Sequence, residues 1–186
     1  KTRVIVCISY QADQVFDYVR RNVPSNLTID FLLDEVRSQT TGLYRQVKDK
    51  IKVPFIGTAG DIVVDGSIYK SGYERVLQEG VFASVAFSPL LEEADTHALG
   101  KMTDDGLVTE LVLPAPQISD PDHLRDMTIW GISPMFHDYA DRYPQLTAVP
   151  KLFNQAIKNQ EYIVGILYPG KWVHVAYPED LNKTMC

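Results

Sequence analysis

Three apolar runs near the start of the chain set the narrowest limits on its fold. RVIVCISY (3–10), NLTIDFLL (26–33) and VPFIGTAGD (53–61) are each rich enough in Val, Ile, Leu or Phe to be strands. Between them, QADQVFDYVRRN places Val15, Phe16 and Val19 on one helical face, and TGLYRQVKDKI does the same with Leu43, Val47 and Ile51. Strand, helix, strand, helix, strand at this spacing predicts βαβ units and a parallel sheet. The near-continuous apolar character of RVIVCISY further predicts a strand covered on both faces.

Beyond Asp65 the pattern changes. SGYERVLQEG reads as a helix and FASVAFSP as a strand. HALGKMTDDGLVTELVLP reads as an antiparallel hairpin turning at Asp104-Asp105-Gly106, where glycine can take a positive φ. DMTIWGISPMF predicts a strand that runs into the helix PMFHDYADRYP, and VPKLFNQAIKNQ is amphipathic through Leu152, Phe153, Ala156 and Ile157. YIVGILYPGKWVHVAYPEDL closes as two strands around Pro169-Gly170, with a helix start at Pro178. The expected architecture is α/β, a mixed and mostly parallel sheet flanked by helices, in one domain over residues 1–186.

With 18 Lys and Arg against 24 Asp and Glu, the net charge is −6 and no basic stripe offsets it. That argues against nucleic acid or an acidic membrane surface as a partner. Cys7 and Cys186 form no metal or redox spacing, which predicts a reducing, cytoplasmic setting. No run approaches transmembrane length and no signal peptide opens the chain.

The residue that asks for explanation is Asp61. It follows Gly60 where an apolar strand ends and before IVVD begins. Two readings stand: a solvated turn aspartate, or a metal ligand at the carboxyl end of a sheet strand, where open α/β sheets place their ligands. The SQTTG loop can be a helix N-cap through Thr40 or Thr41. Gly131 can relieve packing beside Trp130. Trp172 and His174 can be a core aromatic beside a surface histidine. His97, His123 and His137 lack metal-site spacing and read as surface residues.

Taken in order, EVRSQTTG, PFIGTAGD, IWGISPMF and VPKLFNQAIKNQEYIVGILYPGKWVHVAYPEDL resemble the motifs of the sugar-1-phosphate nucleotidyltransferases. The likeness is to the short bacterial kind, such as N-acetylmuramate-1-phosphate uridylyltransferases and mannose-1-phosphate guanylyltransferase-like proteins. The resemblance implies a Rossmann-like nucleotide-diphospho-sugar transferase fold and a nucleoside triphosphate and a sugar 1-phosphate as substrates. It implies Mg2+ or Mn2+ held by Asp61, the catalytic metal aspartate, with His174 at the place of a second metal carboxylate. It also implies a base and ribose contact at Thr40-Thr41-Gly42, a nucleotide approach at Gly60, and a close approach of the sugar at Gly131.

The chain departs from the family pattern in three places. His174 stands where a carboxylate is usual, no Glu-Lys-Pro motif occurs near LVLPAP, and the strand with its Gly-rich phosphate loop is not seen before RVIVCISY. The last departure predicts a domain incomplete at its N-terminus, inactive alone, that self-associates as a homo-oligomer or requires an upstream segment. A non-catalytic paralogue that binds a sugar nucleotide or a partner subunit is the alternative. A metal-dependent glycosyltransferase is a third reading, against which stands the lack of an Asp-x-Asp motif.

Overall fold

The structure is a computed structural model that describes residues 2–35, 39–90, 97–113 and 121–185. In chain order the elements are β1 (Thr2–Ile8), α1 (Ala12–Asn22), β2 (Leu27–Leu33), α2 (Thr40–Val47), β3 (Phe55–Thr58), β4 (Ile62–Val63) and α3 (Ser67–Val76). There follow β5 (Val81–Ser88), β6 (Leu99–Met102), β7 (Val108–Val112), β8 (Leu124–Ile132), α4 (Met135–Arg142), α5 (Val149–Lys158), β9 (Tyr162–Leu167) and β10 (Val173–His174). A 3-10 segment over Pro178–Met185 follows β10. The Pro114, Ala115 and Pro116 of LVLPAP, the Val36, Arg37 and Ser38 of the loop before α2, and Cys186 lie outside the described residues.

The centre of the molecule is β5, VFASVAFS, buried along its whole length. Its side chains alternate between two cores because successive residues of a strand face opposite sides. Ala83, Val85 and Phe87 join Phe136 of α4 and Leu152 and Phe153 of α5 on one face, and Phe82 joins them where the register shifts between Val81 and Ala83. Ala86 joins Ile62, Ile68 of α3, Met127 and Ile129 on the other. Each buried Phe or Leu contributes roughly 1.5–3 kcal/mol from apolar burial, so these two layers clamp β5 and β8 into a rigid frame.

The sheet order is β7-β6-β8-β5-β9, with β3 also paired to β8. β5 and β9 run parallel, and β8 runs antiparallel to β3, β5 and β6. Thus β3, β5, β6 and β9 point one way and β7 and β8 the other, the mixed arrangement expected, with β5–β9 as its parallel pair. The expected hairpin is also present: β6 and β7 are antiparallel, with Gly106 at φ 89° in the turn.

One edge of β8 is shared by two collinear strands. β3 pairs with Ile129–Ile132, and β6 pairs with Leu124 and Arg125. In the break between them β8 is bulged: Val85 lies opposite Trp130, but Phe87 lies opposite Asp126. Thr128 sits in that bulge at φ 55°, a conformation that a β-branched residue adopts only under constraint. The constraint is the fully buried Asp126 carboxylate, whose Oδ1 accepts from the Thr128 backbone N–H at 2.8 Å and from Trp130 Nε1–H at 3.0 Å.

Two sequence expectations are corrected. β1 and β2 form their own two-stranded parallel sheet and share no ladder with β3, so the first three strands are not one continuous sheet. β1 is therefore not covered on both faces: Val4, Ile5 and Val6 are half-buried, and Cys7 is exposed. The two closing strands are present as expected, β9 paired with β5 and β10 with β4.

Candidate functional site

Asp61 lies just past the carboxyl end of β3, opposite the bulge in β8. The neighbouring Ala59 N–H donates to the carbonyl of Thr128 at 3.3 Å, which ties this turn to the strained residue. Asp61 itself accepts from the Val175 backbone N–H at 2.8 Å, at the end of the antiparallel β4–β10 pair. Because Ile62 lies opposite His174 in that pair, the fold brings together two residues far apart in the chain. His174 Nε2 is 3.2 Å from Asp61 Oδ2.

A third residue completes the row. His97, two residues before β6, places Nε2 at 3.1 Å from His174 Nδ1 and Nδ1 at 3.2 Å from the Asp126 carbonyl. The indole of Trp172 meets the His97 ring edge-on at 5.7 Å, and the guanidinium of buried Arg125 lies over that indole at 4.3 Å. Burial, then the Arg125 cation, then His174 push the His97 pKa down to about 4. His97 is thus a neutral imidazole within the fold.

Reading His97, His123 and His137 as surface residues is corrected, since all three are buried. His123 packs away from the solvent, and His137 stacks on Phe55 at 5.9 Å. Only His97 reaches the Asp61 turn through a hydrogen-bonded neighbour. The one sequence signal for it was its place just before an apolar strand.

The other expected site residues are distributed differently. Thr40 does not cap its own helix: α2 has no side-chain cap, and Thr40 Oγ1 accepts from the Val149 N–H at the start of α5, at 3.2 Å. Thr41 is fully buried, its N–H donates to the Thr147 carbonyl at 3.0 Å, and its hydroxyl has no partner among the described residues. The Gly42 N–H closes the first turn on the Gln39 carbonyl at 2.8 Å. The hydrogen bonds of the Thr40–Gly42 turn run to Gln39, to Thr147 and to Val149 at the start of α5, not to Asp61 or His174.

The two glycines contrast. A Cβ at Gly60 would meet nothing within 4 Å. A Cβ at Gly131 would lie 2.3 Å from Ser84 Oγ and 2.5 Å from the Gly72 carbonyl of α3. Close packing of α3 on β8 by itself demands glycine at 131, whereas nothing in the fold demands it at 60.

The spacing of Asp61 and His174 matches that of two ligands on one ion. Two ligands about 2.1 Å from an octahedral ion and at right angles lie about 3 Å apart, close to the observed 3.2 Å. Among the described residues no group of three His, Cys, Asp or Glu side chains is arranged to hold a metal ion. His97 extends the row behind His174 and does not converge with it. A divalent ion here would take one carboxylate and one imidazole from the protein, leaving its other positions for phosphate oxygens and water.

No protein-family model matches this sequence, and no curated protein sequence does. Solved structures match the fold over nearly the whole chain. UDP-glucose pyrophosphorylase complexed with UDP-glucose superimposes with a TM-score of 0.79 at 13% identity, covering 98% of this chain and 78% of that one. The inositol-1-phosphate CTP transferase from T. maritima gives 0.74 at 12% identity, with 98% and 74% covered. HddC from Yersinia pseudotuberculosis gives 0.71 at 19% identity, with 98% and 76% covered. The chain therefore has the nucleotide-diphospho-sugar transferase fold. Among the described residues no helix is long and apolar enough to cross a membrane.

Proposed function

We propose that this chain joins a nucleoside triphosphate to a sugar 1-phosphate, giving an NDP-sugar and pyrophosphate. The observation that carries the reading is the Asp61–His174 pair, 3.2 Å apart at the break in the sheet. Its fold is shared with solved structures named for nucleotidyl transfer. In the reaction a sugar-phosphate oxygen attacks the α-phosphorus. A P–O bond forms there as the bond to the α–β bridging oxygen breaks, and that oxygen leaves with pyrophosphate.

A bound Mg2+ or Mn2+ supplies charge neutralisation where the phosphates crowd together. Asp61 Oδ2 and His174 Nε2 would hold it, and the imidazole nitrogen favours Mn2+ over Mg2+. Open space beside Gly60 lets a nucleotide group approach the turn backbone. The buried hydroxyl of Thr41, without a partner among the described residues, supports a nucleotide contact at Thr40-Thr41-Gly42. The exposed free thiol of Cys7 suits the reducing cytoplasm, where we place the protein.

Pyrophosphate release from panels of nucleoside triphosphates and sugar 1-phosphates, with Mn2+ or Mg2+, tests the reading. Asp61→Asn is expected to abolish metal-dependent nucleotide binding and turnover while changing stability by less than about 0.5 kcal/mol. Binding at the wild-type level in that variant would remove Asp61 from the site. A wild type that binds an NDP-sugar but releases no pyrophosphate with any pair, alone or with an N-terminal phosphate-loop segment added, would be the non-catalytic paralogue instead.

A further inference from the structure

His97 is buried behind the proposed metal pair, and the proposed reaction assigns it no task. Its hydrogen bonds nevertheless determine what His174 presents to Asp61. A backbone carbonyl only accepts, so the contact of 3.2 Å with the Asp126 carbonyl requires the proton on His97 Nδ1. His97 is 4% exposed, and its hydrogen-bond partners among the described residues are that carbonyl and another imidazole. A buried imidazolium without a carboxylate partner is costly, so His97 Nε2 carries a lone pair. That lone pair, 3.1 Å from His174 Nδ1, requires the proton on His174 Nδ1. In neutral His174 that leaves Nε2 as a second lone pair, 3.2 Å from Asp61 Oδ2, an arrangement complementary to a cation.

We propose that His97 is a positioning residue, which holds His174 as the Nδ1–H tautomer and so aims its Nε2 lone pair at a divalent cation shared with Asp61. The inference rests on the reading of Asp61 and His174 as a metal pair. Histidine ligands are commonly oriented through their second ring nitrogen in this way. The arrangement is braced from behind. The Asp126 N–H donates to the Ala98 carbonyl at 2.9 Å while its carbonyl receives His97. The Asp126 carboxylate holds the bulge through Thr128 and Trp130. The same bulge anchors Ala59, two residues before Asp61, so one distortion in β8 sets both ends of the row.

Nitrogen-15 NMR of histidine-labelled, metal-free protein reads the tautomers, and Mn2+ titration followed by electron paramagnetic resonance reads affinity. The wild type is expected to show His174 as Nδ1–H. His97→Phe, which has no acceptor, is expected to shift His174 toward Nε2–H and weaken Mn2+ binding about 10–100-fold. His97→Gln, whose amide oxygen can accept from His174, is expected to restore most of that affinity. If His97→Phe fails to fold, the wild-type tautomer and the Gln variant decide. An Nε2–H tautomer in a wild type whose Mn2+ binding depends on Asp61 would overturn the role of His97 alone. So would a folded His97→Phe that binds Mn2+ as the wild type does. No Mn2+ binding by the wild type would overturn the metal pair itself and this inference with it.

Discussion

Replacing Gly131 by alanine separates a packing glycine from a ligand-contacting one. The new Cβ would stand 2.3 Å from Ser84 Oγ, 2.5 Å from the Gly72 carbonyl oxygen and 3.2 Å from the carbonyl carbon. The hydroxyl can rotate away, but it joins two elements: it donates to the Gly72 carbonyl at 2.8 Å and accepts from the Gly131 N–H at 3.1 Å. Losing both buried bonds costs about 1 kcal/mol each. The Gly72 carbonyl belongs to the backbone of α3 and cannot rotate away, so the helix must retreat from β8. Overpacking of that kind costs about 1–3 kcal/mol.

The expected loss is thus about 3–5 kcal/mol, a large share of the 5–15 kcal/mol that holds an ordinary domain together. With a urea m-value of about 2 kcal/mol/M, the unfolding midpoint should fall by about 1.5–2.5 M with little change in slope. Adding Ser84→Ala removes the contact with the hydroxyl but leaves the Gly72 carbonyl, so rescue should be partial at best. A Gly131→Ala protein within about 0.5 kcal/mol of wild type, with weakened sugar-phosphate binding, would refute the packing argument and return Gly131 to the sugar site.

Two further expectations use the same frame. Gly60→Ala places its Cβ in open space, so denaturant unfolding should show stability within about 0.5 kcal/mol of wild type; nucleotide affinity should nonetheless fall if the turn backbone meets the ligand. Burial pushes the Asp126 carboxyl pKa up to about 7 against the opposing pull of its Thr128 and Trp130 donors. The folded state therefore holds this proton more tightly than the unfolded chain, whose carboxylate titrates near about 4. Its stabilising contribution is complete below that value and is lost as pH rises to about 7. Unfolding free energies of wild type and Asp126→Asn, measured across that range, should differ by a term that falls with pH, and parallel curves would contradict it.

Much of the local structure was legible in the sequence. The apolar runs became β1, β2, β3 and β5, Gly106 took the positive φ its hairpin needed, and Leu152, Phe153 and Ala156 buried one face of α5. Such features depend on side chains a few residues apart, and periodicity records them directly. The order GDIVVD also placed Asp61 at a strand end without any tertiary information.

Pairing across the molecule was another matter. Nothing in WVHV says that β10 will join β4 rather than β9, yet that choice brings His174 to Asp61. Nothing in HALG says that His97 will be buried behind them, because its burial comes from Trp172, Arg125 and the bulge of β8. Thr40, which reads locally as a cap for the helix it begins, caps α5 instead. A backbone N–H or C=O is chemically the same at every position, so the sequence by itself determined which segments would be strands and helices and where the carboxylate would fall. Which edges met, and therefore which side chains faced one another, was decided only when the two cores closed on β5 and β8 and the remaining polar groups had to find partners within reach.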